Sequence, residues 1–194
     1  PLYSSAASDV YKRQRFIAPF RAPTPGWPET TPAVRIRDGA SVQLRPLASS
    51  DGEAWSHMRL HDESWLKPVE PTTHGTWWEA HSHASWRNNW LNLRRLAYDG
   101  TVVPMVIEVN REFAGQVTLG NIQHGAVGEC WIGYWVFSPY MGRGVATAAC
   151  ALGTDHAIHR VGMHRVTATY LPYNPASGRV LRSLSLIHIS EPTR

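Results

Sequence analysis

Between Cys130 and Ile158 the chain reads CWIGYWVFSPYMGRGVATAACALGTDHAI. An apolar run leads into Pro139, then a glycine-rich turn, then an alanine-rich segment with helical character. Gly142 and Gly144 suit positive φ and close approach of main chain to a ligand. A helix that starts there turns its first amides and the positive end of its dipole outward. That combination suits a pyrophosphate, and Arg143 adds a charge-assisted contact. The segment is not a Walker loop, because GxxxxGK(S/T) is absent. It is not a Rossmann fingerprint either, because no third glycine fits and no acidic residue follows at the expected distance. On these residues alone it is a phosphate cradle or a ligand-free helix entry.

Other reactive side chains carry less. His57 and His61 are four apart, and His81 and His83 follow. A zinc site needs three or four ligands with support behind them, and no cysteine or acidic cluster joins these histidines, so no metal is expected. Cys130 and Cys150 have no metal-ligand spacing and read as buried thiols. Trp55, Trp77, Trp86 and Trp90 recur near helical spacing and read first as core.

The elements that must position the turn follow from pattern. Val34 to Arg37 and Val42 to Leu47 are short strands around Asp38-Gly39. Ser49 or Ser50 caps a helix carrying Trp55 and Met58 inward and ending before Pro68. Thr76 opens a longer helix that Asp99-Gly100 stops. Three strands follow: Thr101 to Val109, with Pro104 marking an edge or bulge, then Phe113 to Ile122, then Gly128 to Phe137. A helix runs from about Gly142 to Arg160, His164 to Leu171 is a strand, and Asn174 starts a last helix to about Arg182. A helical crossover to the strand at His164 implies a right-handed parallel connection. The fold class is α/β with a mixed sheet.

Composition agrees. The 194 residues suffice for one domain, 43% are apolar, and no apolar run approaches a membrane span. The formal charge is +4, but arginine is scattered and lysine occurs only at Lys12 and Lys67. A nucleic-acid reader clusters its cations on one face, so direct nucleic-acid binding is not expected, and a basic pocket for a polyanionic cofactor accounts for the balance. No secretory signal pattern opens the chain, and a cytoplasmic protein is the expectation.

SPYMGRGVAT resembles the acyl-coenzyme A loop of the GNAT acetyltransferase superfamily, Gln/Arg-x-x-Gly-x-Gly/Ala. Gly144 and Ala146 match its last fixed positions, while Met141 stands where Gln or Arg is usual. WIGYWV (Trp131 to Val136), HRVTATYLPYNPASGRVL (His164 to Leu181) and VQLRPL (Val42 to Leu47) are similar to successive segments of the ribosomal-protein-alanine acetyltransferase branch. The resemblance covers most of Val42 to Leu181. It implies the GNAT fold, a central mixed twisted sheet with helices on both faces. It implies acetyl-coenzyme A as donor, its arm pairing with main chain at Trp135, Val136 and Phe137, its phosphates on Met141, Gly142, Arg143, Gly144 and Val145 with Ala146. Asn174 and Ser177 would meet the cofactor arm, although Asn174 also reads as a helix cap.

The implied reaction is direct attack of an amine on the thioester, with amides near Tyr134 to Val136 stabilising the oxyanion. The implied acceptor is a protein or peptide N-terminus, a ribosomal protein among the candidates. Relatives often carry Glu directly before IGYW, where this chain has Trp131. Glu129, two residues upstream on the same strand face, and Glu108 are the candidate bases. The usual leaving-group tyrosine falls at Leu181. In this superfamily the first helices roof the acceptor groove. Trp77 and Trp78 cannot both face inward, so one of them, with Tyr134, would line it. A small-molecule amine acceptor, or an acyl-coenzyme A-binding module without catalysis, are the alternatives.

Residues 1–14 and 183–194 resemble translated sequencing-adapter tails. The expectation is therefore an extended arm over 15–33, an acetyltransferase domain over 34–182, and closing strands replaced by the last segment, which would leave an exposed sheet edge and a destabilised chain.

Overall fold

The computed structural model describes residues 24–72, 75–185 and 188–189. The chain opens with strands β1 (Val34–Arg35) and β2 (Ser41–Pro46), joined by a turn in which Asp38 accepts from the Ala40 amide at 3.0 Å. Helices α1 (Gly52–His61) and α2 (Glu63–Leu66) follow, then α3 (Trp77–His81) and α4 (His83–Tyr98). Next come β3 (Val103–Val109), β4 (Glu112–Gln123) and β5 (Glu129–Val136). Helix α5 (Val145–His156) runs into a π-helical turn at Ala157–Val161. Then come β6 (Arg165–Thr167), β7 (Thr169–Tyr170), α6 (Pro175–Ser183) and β8 (His188–Ile189).

The sheet order is β1-β2-β3-β4-β5-β6, antiparallel except for the parallel β5–β6 pair. A parallel pair needs a crossover, and α5 supplies it. This is the mixed sheet expected, with helices on both faces. Helix α5 lies on the face that carries Leu44, Val117 and Ile132. Gly153 lets it settle there, since a Cβ on Gly153 would stand 2.9 Å from Ile132 and 3.1 Å from Val117. The main core fills this layer with residues such as Val42, Ile107, Leu119 and Cys150. On the opposite face α1 and α4 bury a smaller core of Leu47, Trp55, Trp86, Val106 and Phe113.

Several expected elements are subdivided. Thr76 caps α3 in a full capping box with Glu79, but the long helix breaks at Ser82, whose ψ of 157° is extended. Ser82 then caps α4 through the Ser85 amide; serine competes for backbone bonds in this way. Pro104 lies one residue past the last β2–β3 pair, Pro46 with Met105, so its missing N–H faces no partner strand. The strand expected from His164 to Leu171 is two short pieces, because β7 pairs with β8 rather than continuing along β5.

Of the arm expected over 15–33, residues 24–33 are described, and they are only partly extended. Trp27 is buried in the main core, and Gly26 O accepts from the His156 ring at 2.7 Å. Thr31 exchanges bonds with the Leu44 main chain. A lone tryptophan has no periodicity to announce it. Residues 1–23, which include the tail expected over 1–14 and the first part of the arm, lie outside the described residues. Of the last segment, Ser183 closes α6, and residues 188–189 form β8. Among the described residues no helix is long and apolar enough to cross a membrane.

Candidate active site

Strand β5 pairs with β4 from Glu129 to Val136 on one side. On its other side β6 meets only Glu129, Cys130 and Trp131, opposite Arg165, Val166 and Thr167. Beyond Trp131 the strands part, leaving the β5 edge from Ile132 to Val136 as open main chain. Such an edge accepts an extended ligand as though it were another strand.

At the end of that edge the chain tightens. Phe137 N bonds Ala114 O at 2.9 Å, and Met141 N bonds Ser138 O at 3.0 Å. Gly142 and Gly144 then take φ of 72° and 90°. Nothing lies within 4 Å of the Cβ that either glycine lacks, so the cradle is open. The first intrahelical bond of α5 runs from Ala148 N to Gly144 O. The amides of Val145, Ala146 and Thr147 therefore have no carbonyl within the helix to meet, and they stand at the positive end of its dipole. Val145 is fully buried and anchors the turn; Met141 is exposed. An acidic ligand with a diphosphate and an extended arm fits the main chain present.

Arg143 takes a different partner from the one expected. Its guanidinium bonds Asp38 at 2.8 Å across the β1–β2 turn. The Ala40 amide, and then Arg143, hold the Asp38 carboxyl below its ordinary value. Arg143 thus braces the loop against the sheet's far strands.

Across the splay, Asn174 caps α6, its side chain accepting from Ser177 N at 3.2 Å. The Ser177 hydroxyl meets Tyr134 Oη at 3.0 Å. Burial pushes the Tyr134 phenol up to about 12, against the Ser177 bond, which lowers it. Tyr134 alternates with Trp135 along the strand and points to the α5 and α6 side. It belongs with the donor-side residues, not under the roof helices where an acceptor role would place it. Burial likewise pushes Cys130 up to about 11 and Cys150 up to about 12, so both are protonated thiols at neutral pH.

Trp135 projects to the roof side, 6.0 Å from Phe113 and under the Arg59 guanidinium at 5.3 Å. Val136 is buried, and Phe137 packs edge-on against His61 at 5.3 Å. Of the adjacent tryptophans, Trp77 is the inward one. It is 4% exposed, and its indole donates to Arg59 O at 2.8 Å. That burial removes Trp77 from any acceptor surface; Trp78 is 65% exposed.

The candidate bases separate. Glu108 accepts from Arg45 Nε at 2.6 Å, and Arg45 also holds Asp51. Glu108 sits on β3, with β4 between it and β5. Its carboxylate is thus engaged by arginine, two strands from the open edge. Glu129 is at the β5–β6 junction, 4.0 Å from Arg165 and partly exposed.

Two groups escaped sequence reasoning. Asp62, fully buried at the α1–α2 corner, accepts from Ser138 N at 2.7 Å and Ser138 Oγ at 2.6 Å, and bonds His61 Nδ1 at 2.8 Å. It ties the roof to the turn that launches the loop. An aspartate at a helix end reads as a cap, and nothing in the pattern points 76 residues along. Ser138→Ala should lower stability by about 1–3 kcal/mol in a denaturant melt, since it strips a buried carboxylate of a bond. An unchanged midpoint would show that Asp62 is satisfied without the hydroxyl.

Arg59 is the second. It is buried, pairs with Glu70, donates to His81 Nε2 at 2.7 Å and lies over Trp55 and Trp77. His81 in turn donates from Nδ1 to Trp77 O at 2.9 Å. Burial, and then the Arg59 charge, hold the His81 pKa below the ordinary histidine value. The unfolded chain then binds more protons than the folded one just below about pH 6.5, so this contribution is complete above that pH and is lost as pH falls. The melting temperature should drop between about pH 7.5 and about pH 5.5, and less so in His81→Gln. An equal drop in the variant would place the proton elsewhere.

A strand splayed from its parallel neighbour, running into a left-handed glycine turn and a helix start, defines an acyltransferase of the GNAT class. Residues 41–186 match the acetyltransferase (GNAT) domain family, and the chain belongs to it. It is therefore an N-acetyltransferase. Among solved structures it is similar to RimJ of Mycobacterium smegmatis in complex with CoA-disulfide, at 46% identity and a TM-score of 0.79 over 81% of this chain and 75% of that one. Among curated proteins it is 26% identical to the uS5-alanine N-acetyltransferase of Escherichia coli, over 82% of this chain and 81% of the relative. It is 39% identical to a probable N-acetyltransferase, YjcK of Bacillus subtilis, over 67 residues that span 34% of this chain and 37% of that protein.

Proposed function

We propose that this chain transfers an acetyl group from acetyl-coenzyme A to the α-amine of a protein N-terminus, with a ribosomal protein as the favoured acceptor. The observation that carries the donor is the open β5 edge continuing into the unfilled glycine turn. The main chain from Ile132 to Val136 would hold the arm, and the amides from Gly142 to Ala146 the phosphates. When bound, the thioester supplies an electrophilic carbonyl. A main-chain amide of the open β5 edge would stabilise charge developing on that oxygen.

The acceptor reading rests on amine chemistry together with the relatives that act on ribosomal proteins. The amine must be neutral to attack. An α-amine has a reference pKa of about 8 and a lysine about 10.4, so the α-amine needs far less help from a base. Glu108 is committed to Arg45. Glu129, on the same strand face as Trp131, would take the proton through a water molecule. Asn174 and Ser177 border the arm, and Trp78 on the roof is free for the peptide.

The test is release of coenzyme A thiol with a panel of free-amine peptides, Nα-blocked lysine peptides and small amines. Turnover with the free-amine peptides is expected. Turnover with small amines alone would replace the acceptor, and acetyl-coenzyme A binding without any turnover would leave a binding module.

A further inference from the structure

Trp131 stands where the parallel strands part. Its pair with Thr167 is the last one of β5 and β6. A donor arm laid along the β5 edge, phosphates at Gly142 to Val145, runs from Val136 toward Ile132 and must end at this vertex. The reacting carbon therefore comes to rest beside Trp131 and Gly133.

The indole there is built to lie flat. It is opposite Gly120 in the sheet register. A Cβ on Gly120 would come within 2.1 Å of the Trp131 ring, and one on Gly133 within 3.0 Å. Two glycines on adjacent strands are thus needed for the ring to rest on the sheet. Packed from below, it is still 43% exposed above. Its neighbours Cys130 and Ile132 point into the main core, so the ring faces the roof side, shared with Trp135. Glu129 projects from the same face two residues away, about 7 Å along the strand. An amine between them has a carboxylate on one side and a flat apolar surface on the other.

We infer that Trp131 is a specificity-determining residue, the platform on which the side chain of the acceptor's first residue packs. The inference rests on the donor and acceptor reading above. The favoured acceptor is a peptide whose first residue is apolar, because an indole face rewards apolar contact and offers nothing to glycine.

The experiment measures calorimetric binding of leucine-first and glycine-first peptides, in the presence of coenzyme A, to the wild type, Trp131→Ala, Trp131→Phe and Gly120→Ala. It adds KM for each peptide and the dissociation constant of acetyl-coenzyme A. Trp131→Ala should weaken the leucine-first peptide about tenfold and leave acetyl-coenzyme A within about twofold, as expected for one aromatic contact. The glycine-first peptide should hardly change. Trp131→Phe should retain most of the preference, while Gly120→Ala, which lifts the ring, should lose it. Equal weakening of both peptides, no weakening, or a silent Gly120→Ala would overturn the inference. A wild type that binds no acetyl-coenzyme A would instead remove the donor reading. One that binds the donor but neither peptide would remove the peptide acceptor, and this platform with it.

Discussion

Gly144→Val is expected to abolish acetyl transfer and leave the protein folded. Gly144 has φ of 90°, and a β-branched residue is strained there by at least about 1–2 kcal/mol. The lost function exceeds that strain. The side chain would enter the open space over the α5 amides, where a diphosphate would sit, and tilt the turn that aims them. Loss of kcat/KM for acetyl-coenzyme A by at least about a hundredfold is expected, equivalent to about 2.7 kcal/mol. Gly162→Val is the control. Gly162 has φ of 84° and open surroundings after the helical turn at Ala157–Val161, far along the chain from the amides. It should cost stability alone. Matching activity losses in the two variants would mean that backbone strain, not the cradle, sets the effect.

Arg45→Ala is expected to give the largest loss of stability. The guanidinium bonds Asp51 twice, at 2.7 and 2.9 Å, and Glu108 once, at 2.6 Å. Asp51 and Glu108 raise its pKa above the ordinary arginine value, Asp51 foremost and against the effect of burial. Asp51 also accepts from Ala48 N at 2.7 Å, which fixes the entry to α1. Without Arg45, two carboxylates only 8% and 15% exposed are left facing each other. Stranding buried charge in this way costs about 3–5 kcal/mol, and the low end applies because Arg45 itself is partly exposed. At about 2–4 °C per kcal/mol for a chain this size, the melting temperature falls by about 10 °C. Adding Glu108→Gln should recover part of it. A loss below about 1 kcal/mol would place the triad among ordinary surface pairs.

The succession of elements, the crossover helix and the glycine turn are legible because each rests on local chemistry. Apolar, β-branched and aromatic runs between turn residues mark β3 to β5, Gly142 and Gly144 are required by their φ, and Thr76 declares a helix start. What stayed hidden is tertiary. Trp27 has no periodic neighbours, yet it fills the core. Arg143 looks like a free cation until Asp38 is brought beside it, from 105 residues away. Glu108 and Glu129 look alike in sequence, and only pairing distinguishes them. Trp77 and Trp78 cannot be sorted until the break at Ser82 sets the rotation of α3. An indole lying on two glycines needs the β4–β5 register before Gly120 can be connected to Trp131.

The bonds from Ser138 to Asp62 make the roof helices and the turn before the glycine loop one mechanical unit. Exchanging the helical hairpin for that of a relative, as one would to change acceptor choice, replaces one end of this strut. Such a chimera needs a matched pair at both positions. A graft that ignores it would show its defect in affinity for the donor, the ligand that the exchanged helices were never meant to touch.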